Sequence, residues 1–365
     1  CQCVSPGDTL LLDDGRLRLQ VERVHETAVD CQVLVGGRLS SRKGINRLGG
    51  GLAAPALTTK DIADIASLAD LKPDYVAVSF VSSAEDIRLA RRLLQEHRLS
   101  PSIIAKIERA EVVAQRDTLD EILAVSEGIM VARGDLGVEV GDAQLIGIQK
   151  SLIERARHMN RIVITATQMM ESMINSPMPT RAEVFDVANA VLDGTDAVML
   201  SGETAVGRYP AKVVAAMSDT ALGAERHPQA TSSHYRIDRQ FSSAFETIAM
   251  SAMYAANHYG NVRGIACLTE SGNTPTLMSR LHSALPIFAL SHLPATLKKL
   301  SLCRGVVPLY FNYNHYEPET LEQEVADFLQ KSGYCSGGDS LLMTWGANMG
   351  KSGSTDTMKI ILIDE

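Results

Sequence analysis

The sequence predicts an α/β protein with a (β/α)8 TIM-barrel type domain at its centre, five of the eight strands being present, between a small antiparallel β unit and a second α/β domain. Three observations predict it. Turn residues separate alternating strand-like runs over the first fifty or so positions. Short, wholly apolar β-type runs then alternate with amphipathic stretches of helical period, as parallel strands covered by helices do. Each of five successive apolar runs ends in polar residues.

Taken in order, Pro6-Gly7-Asp8 and Asp13-Asp14-Gly15 supply turn chemistry, and "TAVDCQVLVGGRLSS" continues the alternation. Residues 1–52 therefore read as a partial antiparallel β unit. The chain opens on Cys1 in the middle of this pattern, which reads as a fragment entered midway. "RLGGGLAAP" (Arg47–Pro55) is a glycine-rich hinge candidate, and as a phosphate loop it lacks the Gly-Lys-Ser/Thr ending. Residues 53–225 hold the barrel strands "DYVAVSF" (Asp74–Phe80), "SIIAKIE" (Ser102–Glu108), "GIMVARGD" (Gly128–Asp135), "RIVITATQ" (Arg161–Gln168) and "DAVMLSGE" (Asp196–Glu203). The polar, aperiodic "GAERHPQATSSHYRIDRQ" marks a boundary, and residues 226–365 form a C-terminal α/β domain.

Composition excludes several classes. Hydrophobic residues make up 45% of the 365 and charged residues 21%, ordinary for a globular protein. No apolar run approaches the roughly 20 residues that span a bilayer, so no membrane role is expected. A net charge of −8 without basic blocks argues against nucleic acid. Cys1, Cys3, Cys31, Cys267, Cys303 and Cys335 show no metal-type pairing except Cys1-x-Cys3 at the terminus, which reads as incidental, and scattered thiols point to a reducing, cytoplasmic location.

The chemistry concentrates at the strand ends, where a (β/α) barrel builds its active site. Glu108 and Asp135 end neighbouring strands, and two carboxylates so placed can hold a hard divalent cation whose remaining positions go to water and substrate. Lys106 lies two residues before Glu108, on the same side of the strand. A lysine beside a divalent cation suits developing negative charge on a phosphoryl or enolate oxygen. Gly134 bares the backbone N–H groups of Gly134 and Asp135 to an anion. The alternative is an internal Lys106–Glu108 ion pair and a charged turn at Arg133–Asp135. The Thr167 hydroxyl can relay a proton, bind a carboxylate or merely pack. Met169, Met170 and Met173 read as core. Arg181, Glu183 and Asp186 either anchor a loop over the site or form a solvated face. In the last domain "TESGNT" (Thr269–Thr274) and "GKSGSTDT" (Gly350–Thr357) are phosphate-loop candidates, with capping and turn chemistry as the alternative.

The stretches "KIERAEVV", "GIMVARGDLGVE", "ITATQMMESM", "PMPTRAEVFDVANAVLDGTDAVMLSGETAVGRYP" and "GSTDTMKI" together resemble the pyruvate kinase family, over essentially the whole chain, and "KGINRLGGGL" and "GAE" are similar to its bacterial branch. The resemblance implies phosphoryl transfer from phosphoenolpyruvate to ADP, giving pyruvate and ATP in glycolysis, with Mg²⁺ or Mn²⁺. It implies Glu108 and Asp135 as metal ligands and Lys106 as the catalytic lysine. Thr167 lies on the proton path, and Thr167 with the Gly134 and Asp135 amides binds the substrate carboxylate. It makes residues 1–52 part of a mobile lid with Lys43 on the nucleotide side. It makes Thr269, Ser271, Gly272, Asn273 and Thr274 a loop for a phosphorylated effector, on an enzyme that is a homotetramer at full length. The family's chain begins further upstream, with the remaining barrel strands, an arginine for substrate and the potassium ligands. Potassium is thus implied for the family while its ligands are absent here, and the chain as written is expected to be inactive by itself. Two other readings are a non-catalytic remnant with a phosphate-sensing C-terminal module and another barrel enzyme of pyruvate-enolate chemistry.

Overall fold

The computed structural model describes residues 3–13, 15–41, 43–52, 55–231, 240–346 and 353–364. By contacts the chain divides into two compact units, Cys1–Glu183 with Val198–Val214, and Val184–Ala197 with Ala215–Glu365.

The first unit begins with an antiparallel sheet of β1 (Thr9–Leu12), β2 (Leu17–Val24), β3 (Val29–Val35) and β4 (Ile45–Arg47), in the order β3-β2-β1-β4. Leu10, Leu11, Leu17 and Val21 are buried, whereas Val33, Leu34 and Val35 of the edge strand are exposed. Arg47 closes this sheet through bonds from Nε to the Gly50 carbonyl (2.6 Å) and from Nη1 to Asp8 (3.2 Å).

The remainder of the unit is built on β5 (Tyr75–Val78), β6 (Ser102–Ile107), β7 (Gly128–Ala132), β8 (Ile162–Ala166) and β9 (Ala197–Met199). They form one five-stranded sheet in chain order, and the β5–β6, β6–β7 and β7–β8 pairs are parallel. β7 and β8 are buried at every position, and all their side chains but that of Thr165 are apolar. Gly128 starts β7 because a Cβ there would come within 2.7 Å of the Ile162 carbonyl. Helices Ala84–Glu96, Arg116–Val125 and Asp142–His158 cover the sheet and set Ile87, Leu94, Ile122, Leu123, Leu152 and Ile153 into one core.

Each of the five strands ends earlier than the sequence reading has it, at Val78, Ile107, Ala132, Ala166 and Met199, and two of these ends differ most. The run expected to stay extended to Asp135 ends at Ala132, and a helix, Arg133–Val140, starts at once. The run expected to reach Glu203 is a strand only to Met199, with a short helix at Gly202–Ala205. Periodicity misses both turns because the polar residues that end each strand are also the first turn of the next helix. Met169, Met170 and Met173 are core as expected, each 1% exposed or less.

The second unit carries the parallel strands β10 (Val262–Leu268), β11 (Ile287–Ser291), β12 (Val306–Tyr310) and β13 (Ser340–Trp345), with β14 (Thr357–Leu362) antiparallel at the edge, in the order β12-β11-β10-β13-β14. Helix Ala244–His258 packs Ala249, Ala252, Met253 and Ala256 on one face of the sheet, and helix Leu321–Lys331 packs Leu321, Val325 and Leu329 on the other. Asp196, just before β9, forms a bidentate ion pair with Arg280, both side chains being 1% exposed, and accepts the Arg304 N–H at 3.0 Å. Residues 350–352 of the second phosphate-loop candidate lie outside the described residues. Among the described residues no helix is long and apolar enough to cross a membrane.

Candidate active site

The polar residues of the first unit gather at the carboxyl ends of β5 to β8. Lys106, in the last turn of β6, extends Nζ to the Ser79 hydroxyl just past β5 (2.9 Å) and to Glu108 Oε1 (2.7 Å). The i, i+2 geometry expected of a strand thus brings Lys106 and Glu108 together. The Glu108 side chain is 1% exposed. Its Oε2 accepts the Phe80 N–H at 2.6 Å, whereas Oε1 has the lysine charge beside it but no hydrogen bond of acceptable angle. A buried carboxylate with one oxygen so placed is a strong acceptor aimed at a cation.

The stretch that follows β7 answers to several tasks at once. Arg133 is buried and reaches across to β8: Nε donates to the Ala166 carbonyl (3.3 Å) and Nη2 to the Thr167 carbonyl (2.7 Å). Those bonds hold Thr167 and Gln168 at φ of +69° and +53°, conformations that L residues rarely adopt and that concentrate at functional sites. The Gly134 N–H donates to Thr167 Oγ1 at 2.7 Å, and the Thr167 hydroxyl donates to the Ala166 carbonyl at 2.7 Å. Gly134 and Thr167 are therefore joined. A Cβ on Gly134 would meet Thr167 Oγ1 at 3.6 Å, an ordinary contact, so the missing side chain leaves the threonine accessible rather than relieving a clash. Asp135 is half-buried in the first turn of the helix, where a carboxylate also suits the helix dipole. Past β9, buried Glu203 accepts the Met170 N–H (3.2 Å) and the Ser201 N–H (2.8 Å).

Among the described residues no three His, Cys, Asp or Glu side chains converge into a metal cage. Two carboxylates with water and substrate oxygens make the open kind of site that Mg²⁺ takes in phosphoryl-transfer enzymes. Lys43 stands apart in the antiparallel sheet, paired with Asp13 Oδ1 at 2.7 Å, and this bond holds the Asp13 carboxyl below the usual carboxylate range. Glu183 settles one open alternative. It accepts from Ser172 N–H (2.7 Å), Ser172 Oγ (2.6 Å) and Thr180 N–H (2.8 Å), so it anchors the loop before its helix. These bonds outweigh burial and hold its carboxyl below the usual range.

In the second unit the loop Thr269–Thr274 follows β10. Thr269 Oγ1 accepts the Gly272 N–H at 3.0 Å, and Gly272 takes φ of +81°. Thr274 is buried with Oγ1 2.9 Å from Thr355 Oγ1, so the two phosphate-loop candidates meet. Ser271 and Asn273 are exposed. Glu270 of the same loop accepts from the Tyr313 hydroxyl and lies 3.9 Å from His292.

Sequence reasoning gave no role to Arg133 as a clamp on β8, to Ser79 as a partner of Lys106, or to Glu139. Ser79 was legible only as one more polar strand end. A charged residue on a short helix carries no signal of its bonding partners, which come from other parts of the chain.

A sheet of parallel strands whose carboxyl ends carry Lys106, the buried Glu108 and the Gly134 amide is the architecture of a β/α-barrel protein with its polar groups at the strand ends. Comparison narrows the class. The family model described as pyruvate kinase, barrel domain, matches residues 1–214, and that of the pyruvate kinase alpha/beta domain matches residues 246–361. The chain is 54% identical over 361 residues to pyruvate kinase II of Salmonella typhimurium, covering 99% of this chain and 75% of that protein. It is 54% identical over 356 residues to the pyruvate kinase of Haemophilus influenzae (98% and 73%) and 40% identical over 368 residues to that of Geobacillus stearothermophilus (99% and 62%). The chain belongs to the pyruvate kinase family. Its activity class is that of a phosphotransferase between phosphoenolpyruvate and ADP, in a family that generally uses Mg²⁺ and K⁺.

Proposed function

We propose that the strand ends of β5 to β8 carry out this transfer with Lys106 as the cationic centre. The observation that carries the reading is Lys106 Nζ, fixed between Ser79 and the buried Glu108. In the reaction the bond from phosphorus to the enol oxygen breaks, a bond from phosphorus to a β-phosphate oxygen of ADP forms, and the enolate carbon takes up a proton. Little covalent work falls to the protein, so positioning and charge dominate. Lys106 offsets the charge that builds on the transferring group and then on the enolate oxygen.

Glu108 and Asp135 would hold Mg²⁺ or Mn²⁺. The fit rests on Glu108 Oε1, a buried carboxylate oxygen whose charge is met by a cation, the Lys106 ammonium at 2.7 Å. When bound, the ion supplies neutralisation of phosphoryl and enolate oxygens. The substrate carboxylate takes the Gly134 and Asp135 amides and Thr167. Because the Gly134 N–H now bonds Thr167 Oγ1, the ligand exchanges with that hydroxyl and frees it to deliver a proton. Lys43 exchanges Asp13 for nucleotide phosphate.

Regulation and setting belong to the same proposal. Thr269, Ser271, Gly272, Asn273 and Thr274 bind the phosphate of a small metabolite, supported by the convergence of their loop with Thr355. The enzyme works in the cytoplasm, as a homotetramer, with potassium. The test is a coupled assay of pyruvate formation with Mg²⁺ or Mn²⁺, comparing the wild type with K106M. A K106M turnover equal to a measurable wild-type turnover would defeat the assignment of Lys106.

A further inference from the structure

Three successive glycines, Gly49, Gly50 and Gly51, carry the chain out of the antiparallel sheet with φ of +90°, +81° and +88°. Such a segment has no side chains with which to set its own direction. Its direction is set from outside, and one residue meets it from several sides. Glu139, in the last turn of helix Arg133–Val140, is 6% exposed. Its backbone carbonyl accepts the Gly49 N–H at 2.8 Å. Its carboxylate accepts the Ala110 N–H at Oε2 (2.8 Å) and Asn46 Nδ2 at Oε1 (3.4 Å). Asn46 belongs to β4, Ala110 starts the helix two residues past Glu108, and the helix of Glu139 opens with Gly134 and Asp135. A single residue therefore joins these parts: its backbone carbonyl holds the glycine hinge, and its carboxylate ties β4 and the segment after β6 to the helix after β7.

A second carboxylate faces the same point. A Cβ placed on Gly50 would lie 2.6 Å from Glu111 Oε2 and 3.2 Å from Glu139 Oε2. Glu111 Oε2 is buried without a hydrogen-bond partner among the described residues, and its other oxygen is 3.4 Å from Arg109 Nη1.

We propose that Glu139 is the latch of this hinge, a positioning residue that holds the antiparallel sheet against the strand ends bearing Lys106 and Glu108, and that the Glu111 side chain facing it across Gly50 opposes the latch once Glu139 is ionised. Its effect on turnover rests on the phosphotransferase reading above; the latch itself does not. The groups facing Glu139 are Glu111 and Arg109 from the segment after β6 and Asn46 from β4. Burial foremost, with the Glu111 charge adding, pushes the Glu139 carboxyl above its ordinary range, against the Ala110 and Asn46 hydrogen bonds and the Arg109 charge. Ionising Glu139 at this buried position therefore costs more than in water, so the latch is tight at low pH and loosens as pH rises through the raised pKa.

Hydrogen exchange on the whole chain tests this, read as protection factors for residues 45–52 and 110–114 between pH 5 and 9. In the wild type protection falls as pH rises. E139A lowers protection of 45–52 tenfold or more while the amides of β7 and β8 keep theirs. E139Q, which mimics the neutral acid, stays protected over the whole range, and E111Q holds the latch closed at high pH. In the kinase assay E139A raises the KM for ADP more than it lowers kcat. Protection of E139A within twofold of wild type, or an unchanged pH dependence in E111Q, overturns the latch. Should E139A fail to fold, the E111Q and E139Q series decide alone. An E139A variant that loses protection of 45–52 but keeps the wild-type KM for ADP would leave the latch standing and remove its link to turnover.

Discussion

Gly134 and Thr167 are joined across the ends of two neighbouring strands, the Gly134 N–H donating to Thr167 Oγ1 at 2.7 Å. The bond occupies both an amide and a hydroxyl that an anionic substrate would use, and Arg133 holds Thr167 in its left-handed conformation from behind. Substrate binding is therefore an exchange of partners.

T167A removes the hydroxyl while leaving the clamp of Arg133 in place. We expect kcat to fall by about 10²-fold, the usual scale for losing a positioned proton donor, with a smaller change in KM. T167S keeps the hydroxyl and most of the rate. Steady-state kinetics of the three proteins separates these outcomes, and a T167A enzyme at wild-type kcat would remove Thr167 from the proton path.

Lys106 and Glu108 should part ways when metal binding is measured beside turnover. K106M lowers turnover on the order of 10²-fold or more, as losing one preorganised charge does. It should not weaken Mn²⁺ binding, because it takes a cation away from Glu108 Oε1. E108Q and D135N each weaken Mn²⁺ binding in a direct titration. Wild-type Mn²⁺ affinity in both variants would show that the carboxylates do not hold the ion.

The Asp196–Arg280 pair makes a separate, structural prediction. Both side chains are 1% exposed, so removing one leaves the other charge buried. R280M should destabilise the second unit by about 3–5 kcal/mol, whereas the double variant D196L/R280M should recover much of the loss. Chemical denaturation followed by circular dichroism gives both numbers.

Two thiols report on the second unit's integrity. Burial pushes Cys267 up to about 12 and Cys303 up to about 11. Both should be inert to thiol reagents at pH 8 in the folded protein and react on unfolding, while Cys3 is exposed and reacts at once. Their folded pKa values lie above the unfolded ones, so their contribution to stability is complete below pH 9. It is lost as pH climbs toward 11 and 12. Labelling of Cys303 at the rate of Cys3 in native protein would contradict its burial.

Pattern and turn chemistry along the chain were enough for the α/β class, the succession of five strands, the antiparallel unit before them and the strand ends at which the candidate site lies. Apolar period and turn residues are local properties, and an i, i+2 relation such as Lys106 to Glu108 is set by one strand's pleat. The strand limits after Ala132 and Met199 were not legible, because Arg133-Gly134-Asp135 and Ser201-Gly202-Glu203 suit a strand end and a helix start alike. Only the tertiary structure decided that Arg133 clamps the end of β8, that the Gly134 amide bonds Thr167, that Glu139 serves the glycine hinge and that Asp196 pairs with Arg280. Each of these contacts joins residues far apart in the chain. Buried charges must find partners wherever packing brings them, and no periodicity records which partner that is.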